Sequence, residues 1–323
     1  MILGYMNDAG RLVPLDGLLD PFDAIVWIDL FDPSHEEEKL LETRLGIDVP
    51  TMEEMEEIEV SSRLFSQDGA LFMTAILPAH TDGDDPDMAP VSFVLAENRL
   101  ITVRYHEPRA FQTFPPRAGK VRVGCDSGET VLVALLEAIV DRLADVLERV
   151  GRDIDGISRS VFKRKGAKPA SGDDFREVLE NIGRKGDLTS KIRESLVTLE
   201  RLVGFLGQAA AQGKSTKGTR EGIKTLYRDI RSLADHSGFL SQQITFLLDA
   251  TLGMIGIEQN AIIKIFSVAA VVFLPPTLVA SIYGMNFRFM PELNWPFGYP
   301  FAIVLMIFSA ILPFLYFKRR GWL

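Results

Sequence analysis

Two uncharged stretches near the C-terminus restrict what this chain can fold into more than any other feature. Ile265 to Tyr283 (IFSVAAVVFLPPTLVASIY) holds nineteen residues without a formal charge, and Phe297 to Phe317 (FGYPFAIVLMIFSAILPFLYF) holds twenty-one. About twenty such residues carry a helix across the hydrocarbon of a bilayer. A pair of buried core helices is the alternative, and length and apolarity weigh against it. Tyr283, Trp295, Tyr299, Tyr316 and Trp322 fall near the segment ends, where amphipathic rings prefer the interface. Only Gly284 to Pro296 connects the segments, so they form a tight helical hairpin. Lys318, Arg319 and Arg320 follow the second segment, whereas the connection has the single basic residue Arg288. The positive-inside tendency then places both termini in the cytoplasm and the connection outside.

Charge separates the rest of the chain from this hairpin. Arg288, Glu292, Lys318, Arg319 and Arg320 are the only charges beyond position 264, which leaves 43 acidic against 31 basic residues before it, a net of −12. An acidic body of this kind argues against a nucleic-acid partner, which would want a basic face, and suits cations. One cysteine, Cys125, excludes a disulfide framework and a cysteine-rich zinc site. The opening MILGYMNDAGRLV has no basic leader, so no cleavable signal peptide is expected.

The first 110 residues read as a mixed α and β unit. Ala24 to Leu30 is an apolar strand, and Asp32-Pro33-Ser34 starts a helix with Pro33 in its first turn and Glu36, Glu37 and Glu38 at its positive end. Leu71 to Leu77, Val91 to Leu95 and Leu100 to Tyr105 are further strands, the last two paired through a turn at Asn98. The loop His80 to Pro90 carries Asp82, Asp84, Asp85 and Asp87, either divalent-ion ligands or a solvated turn. The run from Glu53 to Glu59 reads as the wet face of a helix.

From Thr130 the period becomes helical, with Leu132, Leu135, Leu136, Ile139, Val140, Leu143, Val146, Leu147 and Val150 at spacings of three and four. Lys163 to Gly172 interrupts it, a second helix runs from about Asp173 to Leu206, and a linker follows from Gly207 to Gly218. Gly213-Lys214-Ser215-Thr216 resembles the end of a phosphate loop, but position 208 is Gln where the first Gly belongs and no strand precedes it. Nucleotide binding is rejected there. A third helical run starts near Thr219 and meets no strong breaker before the first span. Continuous to Tyr283, it has about 65 residues and is roughly 97 Å long. Such a helix must pack on neighbours or on copies of itself. Two spans cannot enclose a water-filled path, so conduction requires several copies.

Along the end of that helix Asn260, Ser267, Leu274 and Ser281 are spaced by sevens, with Ile263, Ala270 and Thr277 between them. This is a bundle seam in which four of seven residues are polar. Polar groups in a span face a partner or water, or Ser and Thr bond their own backbone. Ile263, Ala270 and Leu274 on the stripe form apolar constrictions of the kind that gate by dewetting. Pro275-Pro276 removes two backbone donors and predicts a bend.

At the outer end stand Gly284-Met285-Asn286, Phe287 and Met290-Pro291-Glu292-Leu293. Placed between two spans, these residues resemble the CorA family of magnesium channels, most closely its proteobacterial branch. The likeness runs from about Ile257 to Leu323, through IEQNAIIKIFSVAAVVFLPPTLVASIYGMNFRFMPELNWPFGYP and the closing YFKRRGWL. It is weaker at Arg228 to His236 and Trp27 to Pro33, and covers the middle in length and helical character only.

The resemblance implies a homopentamer in the inner membrane with a cytoplasmic α/β funnel, a pore-lining first span and an outer second span in contact with lipid. It implies passive Mg²⁺ influx, with Co²⁺ and Ni²⁺ also accepted, and no organic cofactor. Gly284, Met285 and Asn286 then form the outer selectivity ring. Asn260, Ile263, Ser267, Leu274 and Thr277 match pore-lining positions, with Ala270 and Ser281 on the same stripe, and Lys318 to Arg320 match a basic ring. Regulatory Mg²⁺ in the family sits on acids between subunits, for which Asp82, Asp84, Asp85 and Asp229 are the candidates here.

The residues themselves favour this chemistry. Mg²⁺ dehydrates reluctantly, so a pore does best to hold it with water attached, and uncharged amide oxygens on Asn286 accept hydrogen bonds from that water without trapping the ion. Gly284 permits the turn after the helix, where a positive φ is often needed. Met285 packs between neighbours, since thioether sulfur is too soft for Mg²⁺. A helix cap is the alternative for Asn286. The expected organisation is a cytoplasmic domain over 1–218, a stalk over 219–264, spans over 265–283 and 297–317, an outer loop over 284–296 and a basic tail over 318–323. Two other functions fit less well: a zinc transporter of the same superfamily, and a membrane-anchored scaffold or enzyme. Against an enzyme, the chain has no HExxH, complete phosphate loop or nucleophile elbow, and its histidines, His35, His80, His106 and His236, have no metal-ligand spacing.

Overall fold

The structure is a computed structural model that describes residues 1–8, 11–15, 22–57, 59–83, 85–120, 124–162, 172–213, 215–286, 290–291 and 295–321. Asp84, residues 163–171 of the expected break from Lys163 to Gly172, Lys214, Phe287, Arg288, Glu292, Leu293 and Trp322 lie outside the described residues. Two compact units emerge, Met1–Leu248 and Asp249–Leu323.

The first unit opens with strands β1 (Ile2–Asp8), β2 (Arg11–Pro14) and β3 (Ile25–Phe31), then helices α1 (His35–Leu45), α2 (Met52–Glu56) and α3 (Val60–Arg63). Strands β4 (Leu64–Gln67), β5 (Ala70–Ala79), β6 (Asp87–Ala96) and β7 (Arg99–Arg104) follow, then the short helix α4 (Arg109–Thr113). Three long helices complete the sequence before the last span: α5 (Gly128–Phe162), α6 (Gly172–Gln212) and α7 (Lys217–Tyr283). The strands form one seven-stranded sheet in the order β2-β1-β3-β7-β6-β5-β4, parallel only between β3 and β7.

Period-two alternation gives the sheet two apolar faces. Trp27, Met73, Ala75, Leu77, Phe93 and Leu100 join the core built with α5, α6 and α7, while Ile28, Leu30, Val94, Ile101 and Val103 join Leu41, Val49 and Met55 from α1, α2 and the chain between them. β5 outruns the four-residue β4, and there Thr198 of α6 accepts the Ile76 N–H at 3.1 Å, so the uncovered edge is closed by a side chain. In the sheet, Asp29 and Arg104 form a buried pair at 2.8 Å, with Thr102 donating to Asp29 Oδ1 and Trp27 Nε1 donating to Thr102. Arg104 also lies over the rings of Phe31 and Phe111.

Local details depart from expectation in three places. Ser34 caps α1: its hydroxyl accepts from Glu37 N while Glu37 Oε2 accepts from Ser34 N at 2.9 Å, so Pro33 stands before the cap and not in the first turn. α6 runs six residues past Leu206, because Ala209, Ala210 and Ala211 favour helix and Gly207 seats Ile223 of α7 closely. The β1–β2 hairpin and β4 were not anticipated. α7 is helical without interruption, Pro275 and Pro276 included.

Candidate ion pathway

The second unit contains α7 from Asp249 onward and α8 (Gly298–Arg319). Both helices are long and apolar enough to cross a membrane, and only 6% of the most apolar window of each is buried. That exposure decides against soluble core helices. Among the described residues of this unit, Val268 and Ala302 are the buried hydrophobic side chains, whereas Phe266, Phe273, Leu278, Phe308 and Leu312 stand exposed.

The seven stripe residues occupy one continuous helix. Asn260 to Ser281 spans roughly 31 Å at 1.5 Å per residue, about the thickness of the hydrocarbon. Ile263 and Leu274 are 60% and 65% exposed in the single chain, a large area for residues that a lone helix has no reason to place together. Ser267 Oγ donates to Ile263 O at 2.8 Å, and Thr277 Oγ1 donates to Phe273 O at 2.7 Å. Both hydroxyls thus take the backbone alternative raised by the sequence. The bond has a chemical consequence: a hydroxyl has one proton, so each oxygen is left with lone pairs only. Pro275 and Pro276 lack an N–H, which also leaves the carbonyls four residues earlier, at Val271 and Val272, without their helical donors. This stretch of α7 is therefore rich in acceptors, the polarity that suits a cation whose hydration waters donate outward.

Beyond Tyr283 the chain turns through Gly284, whose N–H donates to Ala280 O at 2.9 Å, and Met285, whose N–H donates to Ile282 O at 3.3 Å. Gly284 does not take the positive φ expected of it; among the described glycines only Gly46, Gly69, Gly124 and Gly321 do. Its constraint is space, since a Cβ would stand 3.1 Å from the Ala280 carbonyl oxygen. Asn286 is exposed three residues past the helix end, and no described group bonds its amide. At the other end of α8, Lys318 and Arg319 occupy the last turn, where cations complement the helix dipole, and the Arg320 guanidinium lies 5.6 Å from the Tyr316 ring centre.

The described regulatory candidates, Asp82, Asp85 and Asp229, are engaged separately. Asp82 is held by Arg109, Arg142 and Arg149, which keep its carboxyl well below the usual range, at about 2. Asp85 pairs with Lys191 of α6 at 3.0 Å. Asp229 of α7 faces two acids of α5 that sequence reading passed over: burial, then Asp145 and Asp229, push the Asp141 carboxyl up. Asp141 and Asp145 lay unremarked because they fall on the polar side of an ordinary amphipathic helix. No three His, Cys, Asp or Glu groups converge as metal ligands among the described residues.

Known proteins match this chain along its whole length. The family model described as CorA-like Mg²⁺ transporter protein matches residues 22–319. The magnesium transport protein CorA of Pectobacterium atrosepticum is 38% identical over 326 residues, and that of Escherichia coli strain K12 is 39% identical over 324 residues; each alignment covers 100% of both chains. The complete structure of the CorA magnesium transporter from Methanocaldococcus jannaschii matches with a TM-score of 0.78 at 22% identity, over 100% of this chain and 99% of that one. Since the match takes in the sheet, the long helices and both apolar segments at once, this chain belongs to the CorA-like Mg²⁺ transporter family.

Proposed function

We propose that this protein carries Mg²⁺ into the cytoplasm through a channel formed by α7 helices of several copies. The observation that carries the proposal is the acceptor-rich stripe from Asn260 to Ser281 leading to Gly284-Met285-Asn286. Full-length relatives named as magnesium transport proteins support the choice of ion. Asn286 amides from each copy form the outer ring and hold the ion through its water. Asn260, Ile263, Ser267, Ala270, Leu274, Thr277 and Ser281 line the path, and the apolar members gate it. A pentamer in the inner membrane, with residues 1–264 and 318–323 cytoplasmic, completes the arrangement, with Co²⁺ and Ni²⁺ as further cargo. Moving a divalent ion inward through 100 mV releases about 4.6 kcal/mol, so the membrane potential suffices as driving force. Cytosolic Mg²⁺ closes the pore by binding acids between copies, with Asp229 as one of them; within one chain burial, Asp145 and Asp229 raise the Asp141 carboxyl but do not by themselves make a metal site.

Uptake into proteoliposomes holding a magnesium indicator, under an inside-negative potential, tests this. Wild type takes up Mg²⁺, and Asn286→Ala, checked for intact assembly, loses uptake. A silent wild type at low internal Mg²⁺, or one that passes Zn²⁺ in place of Mg²⁺, overturns the proposal.

A further inference from the structure

Arg109 on α4 and Arg142 and Arg149 on α5 converge on one carboxylate, Asp82, in the β5–β6 connection. Asp82 Oδ1 accepts from Arg142 at 2.7 Å and from Arg149 at 3.0 Å, and Oδ2 accepts from Arg109. Thr81 shares the same donors, its hydroxyl accepting from Arg142 at 2.8 Å and its carbonyl from Arg149. Three guanidiniums against one carboxylate leave two positive charges in a body whose net charge is −12. Donors are left over as well: Arg142 Nε is buried and no described group accepts from it. A cavity of about 680 Å³ opens beside the cluster, with Arg109, Arg117 and Arg142 among its lining and Glu137, Asp141 and Asp145 also facing it.

A cation pathway has no use for such a cluster. The guanidinium fork fits carboxylate and phosphate oxygens alike, and a tetrahedral oxyanion offers more acceptor oxygens than a carboxylate. We propose that Arg109, Arg142 and Arg149 form a binding site for a phosphoryl oxyanion, with Asp82 as its tethered occupant until free anion displaces it. Asp82 suits that role, since its side chain is 55% exposed on a loop and leaves without opening the core. It stays ionised at neutral pH, so it is always a competitor. The carboxylates elsewhere in the cavity confine the anion to the arginine edge and keep its affinity modest.

The test uses the full-length protein in detergent micelles, with inorganic phosphate compared against sodium chloride at equal ionic strength. Thermal unfolding is followed for wild type, Asp82→Asn, and Asp82→Asn combined with Arg142→Gln and Arg149→Gln. A short tether presents its group at millimolar effective concentration, so removing the Asp82 charge should lower the half-saturating phosphate concentration by about tenfold. Asp82→Asn then gains a phosphate-specific rise in Tm that the triple variant lacks. No phosphate-specific rise in Asp82→Asn overturns the proposal. Should that variant fail to fold, ³¹P line broadening of phosphate by the wild type decides: broadening lost in Arg142→Gln supports the site, and broadening that is absent or survives the substitution overturns it. ATP run beside phosphate identifies the source, tighter binding meaning a nucleotide and equal binding free phosphate.

Discussion

The two units of this chain treat apolar surface in opposite ways. In Met1–Leu248 the sheet has helices on both faces, and Trp27, Phe93, Leu136 and Leu199 are fully buried. In Asp249–Leu323 the apolar residues are larger in share and mostly exposed, with Phe266, Phe273 and Tyr299 at 70% or more. The same helix shows both regimes. Before Leu248, α7 keeps one apolar face, on Ile223, Leu226, Ile230, Leu240 and Ile244, which its own chain covers. After it, apolar side chains surround the helix, and one narrow stripe is interrupted by Asn260, Ser267, Thr277 and Ser281. One unit buries its apolar surface within the single chain; the other leaves most of it exposed. The proposed channel therefore puts stability in the first unit and conduction in the second, and substitutions should separate the two properties.

The largest loss of stability is expected from the buried ion pair. Asp29→Ala strands Arg104 among Phe31, Phe111 and the sheet, at a cost of about 3–5 kcal/mol. Urea unfolding of the purified protein measures it, and a loss under about 1 kcal/mol would mean that water reaches Arg104. Gly128→Ala comes next. A Cβ there would clash with the Arg99 carbonyl carbon and the Leu100 nitrogen, and the Gly128 N–H donates to Asn98 O at 2.8 Å, so α5 must lift off the β6–β7 turn. About 3 kcal/mol is expected from the same assay. Leu274→Asn inverts the pattern: the side chain is 65% exposed, so melting in detergent should move by no more than about 0.5 kcal/mol while Mg²⁺ flux changes severalfold. A large stability change with unaltered flux would place Leu274 in packing instead.

The smallest effect is electrostatic. A carboxyl whose folded pKa is raised destabilises the fold once it ionises, so the penalty of Asp141 is present at neutral pH and vanishes below the ordinary carboxylate range. Asp141→Asn should raise Tm slightly at pH 7.5 and leave it unchanged at pH 3. Equal gains at both pH values would point to packing. Asp82 has the opposite sign: its stabilisation is present above the ordinary carboxylate pKa and is lost as pH falls toward about 2.

Legibility in the sequence followed the same division. Uncharged length and heptad spacing lie within a few dozen contiguous residues, so the two apolar helices and the stripe on the first of them could be read directly. β3, β5, β6 and β7 were visible because apolar runs end in turn residues. β1 and β2 were missed because Gly4, Asn7 and Asp8 dilute the first and the second is four residues long. The arginine cluster was illegible for another reason. Asp82, Arg109, Arg142 and Arg149 are spread over 67 residues on three elements, and only tertiary packing brings them together. The hydroxyl orientation of Ser267 and Thr277 was open in the sequence, since either a partner or the backbone could take the proton.

The most direct test is the accessibility of α7 to water. Cys125, the only native cysteine, is fully buried with its thiol pushed up to about 11, so it stays silent to thiol reagents. Single cysteines at each position from 260 to 281, in proteoliposomes, are labelled with a small water-soluble methanethiosulfonate. The account predicts reactivity peaking at 260, 263, 267, 270, 274, 277 and 281, reduced by Mg²⁺, with Phe266 and Phe273 positions unreactive. Reactivity without that period, or peaking at 266 and 273, would contradict it.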